Sequence, residues 1–229
     1  AGVVLVGGGP PCQGVSGLNS DRKGALKDAR SKLFVHVRRV YELCKEYFRW
    51  AQVHYFMESV FSMDAKDRAT MSADIGVTPY LVDAAGISIC RRPRLYWLSW
   101  ELRWAEGVQI SEGTGVGWEF YRVITLDSVV DPADYLCQGW SLPGDEPLPT
   151  FTTARPRAQP GNRPAGLWQC QSWELERWKQ DDHRYPPYVY RDKHCLVNSV
   201  GDRRLPHIAE KEAAMGFPVG YTAPCLPKS

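Results

Sequence analysis

The stretch Gly2-Val3-Val4-Leu5-Val6-Gly7-Gly8-Gly9-Pro10-Pro11-Cys12-Gln13 decides the fold. Its apolar run predicts a short buried strand over Val3–Val6. Three glycines follow, and two prolines then fix the backbone just before Cys12. In open α/β sheets, ligands and catalytic groups gather at the carboxyl edge of the strands. Glycine lets another molecule approach the backbone closely, and proline stiffens the turn. A cysteine at such an edge is a candidate nucleophile if its thiolate is accessible. Most free cysteines are small buried hydrophobes, so the Pro-Cys dipeptide needs support from the rest of the chain.

Working outward, Leu33, Phe34, Val37, Val40, Tyr41 and Cys44 recur at helical spacing, which predicts an amphipathic helix over 31–48. Val53–Met57 reads as a second strand and Asp64–Ala73 as a helix with Asp64 near its start. Pro79–Val82 and Leu95–Trp100 read as two more strands. The alternation of strand and helix predicts an α/β sheet, mostly parallel. From 101 to 149 the character changes, with Gly107, Gly113, Gly115 and Gly117 punctuating short polar and aromatic runs. Residues 151–164 carry three arginines and no acid, and 168–194 are rich in Trp, Tyr and charge without clean periodicity. Ala209–Met215 reads as a short helix leading to Gly216. There is no internal repeat.

At 229 residues the chain suits one domain, or one with a small insertion. A net charge of +2 gives no strong overall field, so contact with nucleic acid must come from local basic patches. Seven cysteines without a Cys-x-x-Cys pair do not form a disulfide framework, which points to a reducing compartment. His183, His194, Cys195 and His207 are too irregularly spaced for a zinc site, and no metal is expected. No apolar run approaches twenty residues, so no membrane span is expected, and no signal peptide is visible.

Several motifs occur in an order that resembles the cytosine-5 DNA methyltransferase family. Gly-Gly-Gly-Pro-Pro-Cys-Gln-Gly-Val-Ser (7–16) resembles the family's nucleophile loop. Glu58-Ser59-Val60 resembles its Glu-Asn-Val, with Ser in place of Asn. Arg92-Pro93-Arg94 resembles its Arg-x-Arg before a strand. Glu210-Lys211-Glu212 with Gly216-Phe217-Pro218 resembles its penultimate motif. Ser16, Asn19, Arg22, Lys23 and Gly24 after the cysteine, Val82-Asp83-Ala84, and Gly-Phe-Pro-Val-Gly-Tyr-Thr (216–222) look closest to the eukaryotic de novo type. The similarity spans about 1–100 and 147–222.

The resemblance implies a class I S-adenosylmethionine-dependent methyltransferase fold, Rossmann-like and present as its second half, with a small target-recognition insertion. Residues 1–100 would be the catalytic-core half, 101–149 the target-recognition segment and 150–229 the return segment, Phe151-Thr152-Thr153 marking the return. Cys12 would be the nucleophile that adds to cytosine carbon 6. Glu58 would hydrogen-bond N3 and the exocyclic amine. Arg94 would bind the carbonyl oxygen and orient Glu58, and Arg92 would complete this catalytic set by supporting the loop or a phosphate. Pro11 and Leu33 would touch S-adenosylmethionine. Ser16, Arg22 and Lys23 would contact double-stranded DNA, from which the target base must be flipped. The implied location is the nucleus, and an oligomer formed through the parent protein is left open.

Each residue also has an ordinary reading: a solvated basic turn for the arginines, a helix-start carboxylate for Glu58, a solvated loop for the lysines. The family's glycine-rich cofactor turn, its acidic ribose-binding residue and its last motif are not found, and Ala1 is not a start methionine. The expectation is therefore a fragment, inactive alone and weak in cofactor binding. Two alternatives stand beside it: a cytosine-5 methyltransferase acting on RNA, and a non-catalytic DNA-binding or regulatory relic.

Overall fold

The computed structural model describes residues 2–12, 14–16, 26, 31–103, 106–115, 118–125, 130–151 and 166–223. They form a mixed α/β protein that divides into two compact units. The first comprises residues 1–83 and 93–128, and the second 84–92 and 129–229.

The first unit is built on strands β1 (Gly2–Gly8), β2 (Ala51–Val60), β3 (Tyr80–Asp83), β4 (Pro93–Leu98), β5 (Val108–Gly115) and β6 (Trp118–Thr125). They make one sheet in the order β1-β2-β4-β3-β6-β5. Helices α1 (Val35–Tyr47) and α2 (Ala65–Ile75) belong to the same unit. The expectation of a mostly parallel sheet is corrected. β1–β2 and β3–β6 are parallel, whereas β2–β4, β3–β4 and β5–β6 are antiparallel. The reason lies in the connections. A parallel neighbour needs a crossover of a dozen or more residues. The link from β1 to β2 contains α1, but between β3 and β4 there is only a single 3-10 turn at Ala84–Gly86, so β4 returns antiparallel to β3.

The expectation that β1 is buried is also corrected. Its residues alternate, with Val4 and Val6 half-buried and Val3 and Leu5 exposed at 69% and 56%. It is the sheet's edge, and α1 covers only one face. The close fit of that helix explains Gly8: a Cβ there would lie 2.8 Å from Val37 Cγ2. On α1 the covered stripe runs through Val37, Tyr41 and Cys44, and the Tyr41 ring meets Tyr55 edge-on at 4.9 Å. Val40 and Leu43, equally apolar, lie off this stripe and stay exposed. α2 begins after Asp64, as the sequence predicts, and closes on Gly76, whose left-handed φ of 81° suits a residue without Cβ. Met57, Leu95 and Trp97 from β2 and β4 are fully buried beside Met71 of α2. Each such side chain contributes about 1.5–3 kcal/mol by leaving water. This packed centre fixes the register of β2 against β4.

The second unit holds a small antiparallel sheet of β7 (Trp140–Ser141), β8 (Leu196–Asn198) and β9 (Arg203–Arg204), with helices α3 (Ser172–Gln180) and α4 (Ile208–Ala214). The predicted helix near 209–215 is present, shifted by one residue. α3 lies in the stretch without periodicity. Its start is set by Glu174, whose Oε2 accepts from the Gln171 amide at 2.8 Å, the reach-back of a capping box. The 84–92 excursion joins this unit through Ile89 and Cys90. The Leu148 amide donates to Ile89 O at 2.8 Å, and these residues form a core with Leu196 and Ala214. The stretch 101–149 thus divides: β5 and β6 extend the first unit's sheet, and 130–149 belong to the second unit.

Candidate active site

The first unit brings Glu58, Arg94 and the turn carrying Cys12 to neighbouring strand positions. β2 runs three residues past the expected end at Met57, so Glu58 is a strand residue. The antiparallel register sets Glu58 opposite Tyr96 and Val60 opposite Arg94. Glu58 and Arg94 are therefore diagonal neighbours on one face, within reach for long side chains. Arg94 Nε lies 2.8 Å from Glu58 Oε1. In the parallel pair, Gly8 is opposite Met57, so β1 leaves the sheet beside Glu58. A Cβ on Gly9 would stand 3.4 Å from Glu58 Oε2. Oε2 thus faces the turn Gly9-Pro10-Pro11-Cys12, and among the described residues it accepts no hydrogen bond. The Glu58 side chain is 30% exposed, leaving this oxygen open to a ligand.

Cys12 is a half-buried free thiol against the first unit's core. Its carbonyl accepts from the Val15 amide at 3.0 Å and the Ser16 amide at 2.8 Å, so the chain coils into a turn directly after the cysteine. Val15 is buried and anchors that turn from behind. Ser16 is thereby placed by its backbone, a few residues past the thiol. Pro11 is half-buried, and Leu33 is 44% exposed, leaving apolar surface open. Arg92 is exposed and belongs to the second unit. Arg22, Lys23, Asn19, Gly24 and Thr152-Thr153 lie outside the described residues.

The motif Glu210-x-Glu212 with Gly-Phe-Pro occupies the second unit, where both carboxylates are consumed in holding structure. Glu210 is 2% exposed and grips Arg204 through two bonds of 2.7 and 2.8 Å. It also accepts from the amides of Cys137 and His207. Burial pushes the Glu210 carboxyl up, but the Arg204 side chain and those two amides outweigh it and hold it at about 2. Glu212 accepts from the Gly220 amide and from both the amide and hydroxyl of Thr222. Hydrogen bonds from Thr222 keep this carboxyl below its ordinary range. Gly216, at φ 78°, ends α4, and the Phe217 amide closes back on Glu212 O at 2.9 Å. The motif is thus a strapped turn.

Sequence reasoning passed over Arg204, the partner of Glu210, and the basic side chains Arg177, Arg184 and Arg203 that share a cavity in the second unit. The available signal was the recurrence of arginine and lysine through 177–211 among tyrosines. Among the described residues no group of three His, Cys, Asp or Glu is placed to hold a metal, and no helix is long and apolar enough to cross a membrane. No family model matches the chain.

Proposed function

We propose that this protein transfers a methyl group to carbon 5 of cytosine in double-stranded DNA, using a class I methyltransferase fold. The observation that carries the reading is the Glu58–Arg94 pair, its free carboxylate oxygen directed at the turn that leads to Cys12. The order of the motifs along the chain supports it independently.

Cytosine carbon 5 is a weak nucleophile. Addition of the Cys12 thiolate to carbon 6 forms a C–S bond and moves the ring's electron pair toward carbon 5, which becomes enamine-like. Glu58 favours this step by donating a proton to N3, where negative charge develops, and accepting a hydrogen bond from the exocyclic amine. Arg94 holds Glu58 in place from the adjacent strand and binds the ring carbonyl oxygen. S-adenosylmethionine would supply an electrophilic methyl group. Of the chain's residues, Pro11 and Leu33 fit its apolar portions, Leu33 by the open surface it retains. After transfer, a solvent base takes the carbon-5 proton, its electron pair re-forms the carbon 5–carbon 6 double bond and expels the Cys12 thiolate, and the N3 proton returns to Glu58. Ser16, Arg22 and Lys23 would hold phosphates around the flipped nucleotide.

The test is a covalent trap. The complete natural chain that contains these residues is incubated with cofactor and duplex DNA bearing 5-fluorocytosine, which cannot release the carbon-5 substituent as a proton. A complex that survives denaturation is expected, and Cys12→Ser abolishes it. An undiminished adduct in that variant removes Cys12 from the chemistry. Adduct formation on RNA alone would reassign the substrate, and no adduct with either would leave a DNA-binding relic.

A further inference from the structure

The second unit contains a cavity of about 660 Å³ whose walls gather basic side chains around two tyrosines. Five of its side chains are basic: Arg177, Arg184, Arg203, Arg204 and Lys211. Three carboxylates answer them. Asp192 pairs with Arg177 at 2.5 Å and Arg203 at 3.7 Å, and Glu210 pairs with Arg204. Asp181 lines the cavity but is already bonded by the Tyr190 hydroxyl at 2.6 Å. The walls with their ion-pair partners therefore carry two positive charges in excess.

The excess has a location. Among the described residues, Arg184 and Lys211 pair with no carboxylate, and both stand on the same ring. The Tyr185 centroid lies 5.4 Å from Arg184 Cζ and 4.9 Å from Lys211 Nζ. The ring attracts both cations but does not neutralise them, so an anionic ligand would supply the missing counter-charge. Their arginine neighbours are fixed in advance: Arg177 donates to Tyr190 O and Asp192, and Arg204 lies over the Trp140 ring at 4.2 Å. A ligand here meets guanidinium groups that lose little freedom on binding.

We propose that this cavity binds a nucleoside monophosphate through its phosphate. A phosphate monoester carries about −1.5 to −2 near pH 7, matching the excess of two. The volume is far more than a bare phosphate needs and falls within the roughly 300–1,000 Å³ of small-molecule pockets. Tyr185, which is only partly buried, provides aromatic surface for the base. The site belongs to the second unit and Cys12 to the first, and its test involves no methyl transfer.

The experiment titrates the protein at low salt with deoxycytidine 5′-monophosphate, adenosine 5′-monophosphate, inorganic phosphate and the unphosphorylated nucleosides. Heat and tryptophan fluorescence are read together, because Trp178 Nε1 donates to Tyr185 O at 2.8 Å and reports on the wall. Saturable binding of the monophosphates is expected, at least tenfold tighter than phosphate and absent for nucleosides. Arg184→Ala combined with Lys211→Ala should weaken it at least tenfold. Arg184→Lys with Lys211→Arg should retain most of it, which separates charge from folding. Equal binding of a nucleoside, equal binding of inorganic phosphate, or an unchanged affinity in the double alanine variant would each overturn the proposal. So would binding confined to a phosphodiester oligonucleotide.

Discussion

Glu58–Arg94 in the first unit and Glu210–Arg204 in the second are both carboxylate–guanidinium pairs joining neighbouring segments, yet they are built to different ends. Glu210 is sealed from solvent, and its two oxygens meet two guanidinium bonds and two backbone amides. Nothing is left for a ligand. Glu58 shows one oxygen to Arg94 and keeps the other, part-exposed, toward the Gly9–Cys12 turn. A saturated pair fixes a fold, and an unsaturated one at a strand end can recognise a substrate. A Glu–Arg contact alone does not distinguish these roles; the bonds left over do.

The comparison breaks most visibly at Glu210. Glu210→Ala leaves the half-buried Arg204 without its partner and two amides without acceptors, and should cost about 3 kcal/mol of stability. Chemical denaturation of purified protein measures it, and a loss below about 1 kcal/mol would mean the pair is not structural. Glu58→Gln should do the reverse, leaving the melting temperature within a degree or two while single-turnover methylation falls about a hundred- to thousand-fold. If it instead lowers DNA affinity with normal turnover at saturating DNA, Glu58 lies outside the catalytic pocket.

Acid sharpens the contrast. The folded carboxyl of Glu210 titrates at about 2, against 4.5 for the ordinary group. A depressed pKa contributes stability that is complete above about 4.5 and is lost as the pH falls toward 2. The amount is on the order of 2 kcal/mol after allowing for solvent screening. Comparing denaturation at pH 6 and pH 3 in the wild type and in Glu210→Gln isolates it, because the variant should lack that component of the slope. The smallest effect is expected at Lys23. Lys23→Ala removes one phosphate contact, lowering DNA affinity modestly and reducing the slope of log K against log salt by about 1, with methylation at saturating DNA unchanged.

Much of the first unit could be read from its residues. The apolar runs and the 3.6-residue spacing of Val37, Tyr41 and Cys44 located β1, α1, β2 and α2, because each buries one face against the next. Direction was not legible. Whether β4 runs with or against β2 depends on how the chain returns from β3, and no local pattern in Leu95–Trp100 encodes that. Exposure of Val3 and Leu5 was hidden for a related reason: a strand's sequence states what it can bury, not which neighbours are present. At the candidate site, Glu58 and Arg94 were legible by motif, but their diagonal register came only from the pairing of Glu58 with Tyr96. In the second unit, short elements such as β8 and β9 rest on individual hydrogen bonds and ion pairs. Periodicity carries no trace of those, and Glu174 and Arg204 went unread.

The edge position of β1 bears on how the protein behaves in solution. Among the described residues, the side of Gly2–Gly8 turned away from β2 pairs with no strand. The segment contains no lysine, proline or other feature that discourages strand addition. Val3, Leu5 and nearby Trp50 add uncovered greasy surface. Among the described residues, this edge is a place where another strand could add, whatever the chain's overall charge. A chain can be well folded everywhere else and still be difficult to keep dispersed because of one open seam.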